Sequence, residues 1–392
     1  MARHDEWMAA ELAQLRAGDA LRALETRPGV GGRLHDDTCE WLSFASNDYL
    51  DLARHPRVID AAGAPLVRWG AGAGASRLVA GTLPIHETLE ARLAALKGCP
   101  AALVGGSGYA VNLGLIPALA GRSDTVLLDR LAHASLVDGA VLSRANLCRF
   151  RHNDLEHLES LLAALPAAGR KLVVTESVFS MDGDLAPLPE LAAVADRYGA
   201  MTLVDEAHAT GIFGPGGAGR VVESGLADRI TVSMGTLSKA LGSFGGFAAG
   251  SVILRDWLVN RARPFIYSTA LPPSAVGAAL GALDLLRDEP ERGAVLLQRA
   301  AFFRARLAEA GFPDSGSRSQ IVPVLVGDNA CALRLAARLR DAGVLVVAIR
   351  PPTVPAGTAR LRFAVTLAHS EADLTYTVEA LAAAARAEGL LK

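Results

Sequence analysis

The chain has 392 residues, a length that predicts about two domains and is sufficient to bury a substrate cleft. With 39 basic and 41 acidic residues, a net charge of −2 and no long run of one sign, it is not expected to bind nucleic acid or a membrane surface. The four cysteines lie too far apart for a zinc or redox motif, and the charged N-terminus lacks the apolar core of a secretory signal. We therefore expect a cytoplasmic protein with reduced thiols and no metal.

The first predicted element is a helix over about residues 6–24, an arm with leucine and alanine at helical spacing. From about residue 100, short β-branched runs alternate with helical stretches. Runs that are apolar on both faces indicate a mostly parallel sheet covered by helices. The predicted strands are TVLLD (125–129), KLVVTES (171–177), MTLVDE (201–206), ITVSMGT (230–236) and GFAAGS (246–251).

A helix that begins near Pro273 separates the strands of this sheet from a later group of strands and helices. The uncharged stretch 264–283 has membrane-spanning length, but the Pro272-Pro273 pair indicates the start of a buried helix instead. Three later strand-like runs, with helices between them, predict a smaller α+β domain; they cover 321–327, 344–352 and 360–367. The expected organisation is a helical arm (1–45), a large α/β domain (46–290) and a small C-terminal α+β domain (291–392).

Polar side chains follow the predicted strands at the points where those strands end. In open α/β sheets, ligands bind beyond the carboxyl ends of the strands, so residues far apart in sequence meet in one crevice. The residues expected in this crevice are His133, Ser180, Asp205, His208, Thr236 and Lys239.

Lys239 lies in TLSKALGSFGG (236–246), where no residue carries a negative charge. Such a lysine either points to solvent or serves as an amine for Schiff-base chemistry with a carbonyl. Asp205 ends an apolar strand, where an unpaired carboxylate is costly, so it needs a cationic partner. A protonated pyridine nitrogen would be such a partner, and this lysine–aspartate pair is expected for pyridoxal 5′-phosphate (PLP).

The phosphate of such a cofactor needs hydrogen-bond donors. GGSGYAVN (105–112) predicts a glycine-rich turn that opens a helix and offers backbone N–H groups to an anion, and Thr236 could add a hydroxyl. His133 could stack on the ring and His208 could reach the ring oxygen. Histidines in such positions are as often core or capping residues.

Three other interpretations of these motifs, a helicase, a dinucleotide-binding protein and a binding module without catalysis, are less consistent with the sequence. Residues 205–208 spell DEAH, as in nucleic-acid helicases, but the chain has no G-x-x-x-x-G-K-[ST] phosphate loop. The run GAGAGAS (70–76) partly matches a dinucleotide fingerprint, but no strand precedes it. A binding module without catalysis would leave the convergence of Lys239, Asp205 and two histidines unexplained.

The motifs together resemble the α-oxoamine synthases, PLP enzymes of aminotransferase-like fold (fold type I) that condense an amino acid with an acyl thioester and release carbon dioxide. The similarity runs nearly end to end. Its last motif is the most specific, since it resembles the branch that joins L-alanine to a pimeloyl thioester in biotin biosynthesis. The motifs are SNDYL (46–50), ASRLVAGT (75–82), DRLAHASLVDGA (129–140), RFRHND (149–154), TESVFSMDGD (175–184), VDEAHATGIFG (204–214), GTLSKALG (235–242), IYST (266–269) and IRPPTVPAGTARLR (349–362).

The resemblance implies that Lys239 forms the Schiff base with PLP and that Asp205 pairs with the pyridine nitrogen. It also implies that His133 stacks on the ring and that His208 contacts the ring oxygen. Ser180 is left open between the phosphate and the ring oxygen. Tyr109 stands where phenylalanine is common in the family. The remaining cofactor-binding positions are Gly108, Tyr109, Ser180 and Thr236.

The resemblance also implies a set of substrate contacts. Arg362 is expected to bind the amino-acid carboxylate through a bidentate guanidinium fork, and Arg22 and Arg350 are alternatives for the far carboxylate of a pimeloyl chain. The acyl donor is left open between pimeloyl-CoA and a pimeloyl-acyl carrier protein, and glycine with acetyl-CoA is the alternative substrate pair. A homodimer with active sites between subunits is expected. The implied substrate-binding positions are Arg22, Asn47, His133, Arg350, Thr353 and Arg362.

Overall fold

The computed structural model describes residues 4–35 and 39–391, whose contacts form two compact units. The large unit comprises Asn47–Ser180 and Asp184–Leu297. The terminal unit comprises the described residues of Met1–Ser46, Met181–Gly183 and Gln298–Lys392.

Helices and strands alternate along most of the described chain. The helices are α1 (Asp5–Ala17), α2 (Pro56–Trp69), α3 (Pro84–Leu96), α4 (Gly108–Leu119), α5 (Ala134–Ser143), α6 (Leu155–Ala164), α7 (Leu188–Arg197), α8 (Arg220–Glu223), α9 (Val252–Arg261), α10 (Arg263–Tyr267), α11 (Pro273–Asp288), α12 (Arg292–Glu309), α13 (Asn329–Asp341) and α14 (Glu371–Ala387). The strands are β1 (Arg33–His35), β2 (Glu40–Ser43), β3 (Ala101–Gly105), β4 (Thr125–Asp129), β5 (Asn146–Phe150), β6 (Lys171–Glu176), β7 (Met201–Asp205), β8 (Val232–Thr236), β9 (Gly246–Gly250), β10 (Ile321–Gly327), β11 (Val344–Leu345), β12 (Val347–Ile349) and β13 (Ala359–Ala364).

The large unit, all of whose residues are described, is built on one sheet of seven strands in the order β3-β9-β8-β7-β6-β4-β5. The five strands from β8 to β5 run parallel, whereas β9 is antiparallel to both β8 and β3. The predicted mostly parallel sheet covered by helices is thus confirmed. Its parallel strands end at one edge, where ligands bind in folds of this class.

Both faces of this sheet are buried, which explains the continuous apolar runs in its strands. On one face, Leu115 of α4 and Leu136 of α5 pack against Val126 and Leu128 of β4. On the other face, Leu127 of the same strand packs with residues of α6 and α7, including Leu158, Leu191 and Val194. Successive residues of β4 therefore face opposite helix layers, as the strand period of two requires.

The terminal unit holds two small sheets. In its described residues the strand orders are β1-β2-β11 and β10-β13-β12, and β11 joins β2 in parallel. Phe44 follows β2 and stacks on His369 at a ring-centroid distance of 4.1 Å and on Phe303 at 5.6 Å. Burial lowers the pKa of His369 to about 4, so the ring is uncharged at neutral pH. It can therefore pack among the apolar side chains of this unit.

The structure corrects three details of the predicted elements. The opening helix ends at Ala17 rather than near residue 24, because Gly18 caps it and Asp19 adopts a positive φ of 52°. The run 344–352 forms two short strands in different sheets. Strands β3 and β5 lie at the two edges of the large sheet, and their sequences were not recognised as strands.

The uncharged stretch 264–283 is divided between α10 and α11 by an extended segment that contains Pro272. Across residues 4–35 and 39–391, helices of sufficient length and apolarity to cross a bilayer are absent.

A fully buried ion pair lies directly after β7. The Nζ atom of Lys97 is 2.8 Å from Glu206 Oε2 and also donates to Thr210 Oγ1 and to the carbonyl of Ala218, each at 2.8 Å. Glu206 accepts further hydrogen bonds from Ser233 Oγ and the backbone N–H of Val221. Both charged groups therefore have several hydrogen-bond partners. Glu206, the glutamate of the DEAH sequence, is a buried structural residue that anchors the segment following Asp205.

We predict that Lys97→Met will destabilise the large unit by about 3–5 kcal/mol, because it leaves the buried Glu206 carboxylate without its counterion. The double variant Lys97→Met, Glu206→Gln is expected to lose less stability than Lys97→Met alone, because it also removes the carboxylate charge that would be left without a counterion. Urea unfolding followed by tryptophan fluorescence measures both changes. A single variant whose free energy of unfolding lies within about 0.5 kcal/mol of the parent value, the range typical of surface substitutions, would contradict the prediction.

A second charged cluster fixes the loop after β5. His152 Nδ1 lies 3.0 Å from Asp129 Oδ1, and its Nε2 lies 2.8 Å from Asp184 Oδ2. Burial lowers the pKa of this imidazole, but the hydrogen bonds and charges of the two carboxylates outweigh burial and raise the pKa to about 10. The ring is therefore an imidazolium at neutral pH and links the end of β4 to the segment after β6.

Because the folded-state pKa of His152 lies above its unfolded value of about 6.5, this imidazolium stabilises the fold fully below pH 6.5. The contribution is lost as the pH rises towards 10. We predict that His152→Gln will lower the Tm most at pH 6.5 and least at pH 10. Calorimetric scans of both proteins across this range test it, and a Tm difference that is constant or grows with pH would contradict the assignment.

Candidate active site

Lys239 lies in a tight loop that joins β8 to the antiparallel β9. The loop is closed by backbone hydrogen bonds from Leu237 to Gly245, from Ser243 to Leu237 and from Gly242 to Lys239, each 2.9 Å long. Leu237 and Leu241 are fully buried on either side of the half-buried lysine. The lysine is therefore held in place by its backbone and by apolar anchors, rather than extended into solvent.

The amine of Lys239 is the end of a hydrogen-bonded row. Its Nζ lies 2.8 Å from His208 Nε2, and His208 Nδ1 lies 2.7 Å from the hydroxyl of Tyr49. That hydroxyl is 3.0 Å from Asn47 Oδ1. Tyr49 is fully buried and His208 is 5% exposed. The structure thus brings together three residues expected in the site, Lys239, His208 and Asn47, and adds a fourth, Tyr49.

Asp205, at the carboxyl end of β7, is 5% exposed. Its Oδ1 accepts a hydrogen bond from the backbone N–H of Ala207 at 2.9 Å, and its Oδ2 accepts one from Asn112 Nδ2 at 2.8 Å. Within the described chain, this carboxylate forms an ion pair with no lysine, arginine or histidine. A buried carboxylate that receives only neutral donors still favours a nearby cation.

His133 caps the N-terminus of α5 and its side chain is exposed. Its Nδ1 accepts a hydrogen bond from the backbone N–H of Ser135 at 3.2 Å, so a neutral ring carries its proton on Nε2. Desolvation lowers the pKa of His133, the nearby Asp205 charge raises it and Lys239 lowers it further, with a net lowering. His133 is therefore an uncharged flat ring at neutral pH, which suits stacking.

Asn112 connects these groups. Its Nδ2 donates both to Asp205 and, at 2.9 Å, to Ser135 Oγ, which lies 2.8 Å from His133 Nδ1. One buried amide on α4 therefore orients the aspartate on β7 and, through Ser135, the histidine before α5. The Oδ1 atom of Asn112 is buried without a hydrogen-bond partner in the described structure.

A second carboxyl lies beside Asp205 in the sheet. Glu176 ends β6, is paired in register with Asp205, and accepts a hydrogen bond from the backbone N–H of Ser180 at 3.2 Å. Burial, followed by the charge of Asp205, raises the pKa of Glu176 well above its usual range. Glu176 therefore keeps its proton to a higher pH than an exposed glutamate does.

The expected phosphate-binding turn is formed by the start of α4. Ser107 caps this 12-residue helix by accepting from the N–H of Ala110, and the helix begins at Gly108. A Cβ on Gly108 would lie 3.4 Å from the side chain of Thr236, and one on Gly246 would lie 2.6 Å from the nitrogen of Gly108. Glycine at position 246 therefore lets the turn approach the start of β9, and Thr236, at the end of β8, lies beside Gly108.

These features fit PLP. The large unit offers an amine on a fixed loop, a buried carboxylate that lacks a cation, a neutral stacking ring and a helix N-terminus beside a hydroxyl. Tyr109 borders the same turn, with its hydroxyl bonded to Asp138 and its ring 6.4 Å from that of His133 in an edge-on arrangement. The expected cofactor positions all lie in this unit. Hydrogen bonds join Lys239 to His208, and a separate set joins Asp205 through Asn112 and Ser135 to His133.

The other expected substrate residues lie in the terminal unit. Arg22 Nη2 donates to Thr353 Oγ1 at 3.1 Å, and the guanidinium of Arg350 bonds to the carbonyl of Asp19. Arg22, Thr353 and Arg350 border a cleft of about 650 Å³, open to solvent, whose apolar wall includes Leu21, Leu333, Leu345, Val346 and Ile349. Arg362 lies on β13 and is 7% exposed.

The sequence analysis missed Asn112, Ser135, Glu176 and Tyr49. Asn112 was quoted only as the end of the glycine-rich turn, although it lies four residues after Gly108 and therefore on the same side of α4. Tyr49 lies two residues after Asn47 in SNDYL and was not singled out. A polar residue placed inside a strongly apolar helix was the available signal for Asn112.

Comparison with known proteins identifies the family of the chain. The chain matches the family described as aminotransferase class I and II over residues 40–381. It is 50% identical to the 8-amino-7-oxononanoate synthase of Geobacter sulfurreducens, with 98% of this chain and 99% of the relative covered. Other 8-amino-7-oxononanoate synthases, including one from Anaeromyxobacter dehalogenans at 53% identity over 96% of this chain and 95% of the relative, match almost as fully.

Solved structures give the same grouping. A serine palmitoyltransferase from S. paucimobilis with bound PLP–myriocin aldimine superposes with a TM-score of 0.91 at 34% identity, over 99% of both chains. The 8-amino-7-oxononanoate synthase of Francisella tularensis superposes with a TM-score of 0.76 at 26% identity, over 90% of this chain and all of that one. The chain belongs to the class I and II aminotransferase family, in its 8-amino-7-oxononanoate synthase branch.

Proposed function

We propose that the protein is a PLP-dependent acyltransferase that condenses L-alanine with a pimeloyl thioester to give 8-amino-7-oxononanoate, carbon dioxide and a free thiol in biotin biosynthesis. The observation that carries this proposal is the Lys239 amine held by His208 in the same unit as the buried Asp205 carboxylate. Relatives of this name at about half identity over nearly the whole chain support the choice of substrates.

The large unit would hold the cofactor through the contacts expected from sequence. The start of α4 at Gly108 and Tyr109 and the hydroxyl of Thr236 would bind the phosphate, while Ser180 would contact the phosphate or the ring oxygen. Asp205 would face the pyridine nitrogen, and the neutral ring of His133 would cover one face of the cofactor. When bound, PLP supplies an electron-withdrawing ring that acidifies the α-carbon of the amino acid and accepts electrons on loss of carbon dioxide.

The chain itself supplies the proton chemistry. Lys239 Nζ is the base that removes the α-proton of alanine and returns a proton at the end of the reaction. The α-carbon would then attack the thioester carbonyl and form a C–C bond, while the C–S bond breaks and sulfur leaves with the electron pair as a thiolate, which takes up a proton to give the free thiol. Asp205, fixed by Asn112 and Ala207, would face the ring nitrogen of the bound cofactor.

The terminal unit supplies features suited to the substrates. Its cleft combines an apolar wall with arginine side chains, which matches a methylene chain that ends in a carboxylate. Arg22 with Thr353, or Arg350, would bind the far carboxylate of the pimeloyl chain, whereas Arg362 would bind the carboxylate of alanine. Asn47 and His133 would complete the substrate contacts. Either pimeloyl-CoA or a pimeloyl-acyl carrier protein fits this proposal, in which the protein acts as a cytoplasmic homodimer.

Lys239→Ala should abolish product formation, because the chain loses both its carbonyl-binding amine and its base. In the parent protein loaded with PLP, borohydride reduction should add the cofactor mass to the peptide that contains Lys239. Lys171→Arg is the matched control and should keep activity and labelling. Full activity of Lys239→Ala, or cofactor mass on Lys97, Lys171 or Lys392, would contradict the proposal.

Arg22→Ala should raise the KM for the pimeloyl thioester roughly tenfold to a hundredfold, the effect of losing a charge-assisted hydrogen bond. The KM for alanine should change less than about twofold, since that carboxylate is assigned to Arg362. Arg338→Ala is the matched control, because Arg338 pairs with Glu388 outside the cleft lining. Steady-state kinetics with each substrate varied in turn measure both values, and a defect confined to alanine would overturn the assignment of Arg22.

A further inference from the structure

The row of hydrogen bonds from Lys239 to Asn47 has a defined direction. The amide oxygen of Asn47 can only accept, so the Tyr49 hydroxyl donates its single proton to it. The bond between Tyr49 and His208 Nδ1 must then be donated by the ring. His208 therefore carries its proton on Nδ1, and its Nε2 presents a lone pair to the Lys239 amine at 2.8 Å.

We infer that Tyr49 is a positioning residue that fixes the tautomer of His208, so that His208 Nε2 acts as the proton acceptor for Lys239. This inference rests on the proposed function, because it concerns the amine that binds the cofactor carbonyl. In the transfer step an N–H bond of the lysine ammonium breaks and an Nε2–H bond forms. The positive charge moves from the lysine to the imidazole, and the lysine nitrogen keeps its electron pair as a neutral nucleophile.

The surroundings favour this assignment. Tyr49 is fully buried and His208 is 5% exposed, so bulk water competes little with the hydrogen bonds that hold the ring. Once His208 is charged, its Nδ1–H donates to the Tyr49 oxygen, and the Tyr49 proton remains bonded to Asn47. The phenol is therefore placed to stabilise the imidazolium form of His208 without giving up its own proton.

The tautomer is measured directly on the cofactor-stripped full chain. With ¹⁵N-labelled histidine, and His208 assigned through the loss of its signals in His208→Gln, we expect the ring proton on Nδ1. Asn47→Ala removes the acceptor of the Tyr49 proton, frees that hydroxyl to donate to Nδ1, and should move the ring proton to Nε2. A ring proton on Nε2 in the parent chain, or an unchanged tautomer in Asn47→Ala, would overturn the inference.

The inference also predicts a shift in the pH dependence of the rate at which the chain captures pyridoxal. The rate at which free pyridoxal is captured by the stripped chain should rise with pH as the lysine amine is deprotonated, and Tyr49→Phe should move the midpoint of that rise up by about one pH unit. This corresponds to a tenfold loss of rate at pH values below the midpoint, the size expected for one lost hydrogen bond. Absorbance of the captured pyridoxal reports the rate.

Tyr198→Phe is the matched control, since it removes a hydroxyl bonded to Glu159 at 3.3 Å in the same unit and should leave the midpoint unchanged. A Tyr49→Phe chain that captures pyridoxal with the parent profile would refute the role of Tyr49. Both measurements are independent of the condensation assay. A protein that shows the predicted tautomer but does not use alanine and pimeloyl thioester would disprove the proposed function alone.

Discussion

A buried negative charge at the end of β7 is the constraint on which the site depends. Asp205 is almost inaccessible to water, and its hydrogen-bond donors are an amide and a backbone N–H rather than a cation. Such a charge is unfavourable unless a positive group completes its environment. A pyridinium nitrogen would do so, and the amine of Lys239 lies in the same unit to bind the carbonyl of the same ring.

The sheet register positions these groups. Asp205 is paired with Glu176 on one neighbouring strand and with Met234 on the other, so β6 and β7 end level and β8 continues two residues further, to Thr236. Lys239 lies three residues after Thr236, in the loop that follows β8, and the buried Lys97–Glu206 pair fixes the segment that follows Asp205. A slip of one residue in β7 would turn Asp205 to the opposite face of the sheet, which explains why so much buried polar structure surrounds this strand.

The sequence was sufficient to predict four of the five parallel strands and the residues that follow them, because those signals are local: a continuous apolar run, then a polar side chain. Asn112 and Tyr49 were missed because their roles depend on partners 93 and 159 residues away, at Asp205 and His208. Strand β5 was missed because only one of its five residues, Phe150, is fully buried. The length of α1 was overestimated because its alanine and leucine pattern continues past Gly18, where the backbone leaves the helix.

The most direct test is a crystal structure of the PLP-loaded protein at a resolution that separates the ring atoms. The account predicts continuous density from Lys239 Nζ to the cofactor C4′ carbon, with the pyridine nitrogen within hydrogen-bonding distance of an Asp205 carboxylate oxygen. A cofactor joined to another residue, or one whose ring nitrogen faces away from Asp205, would contradict it.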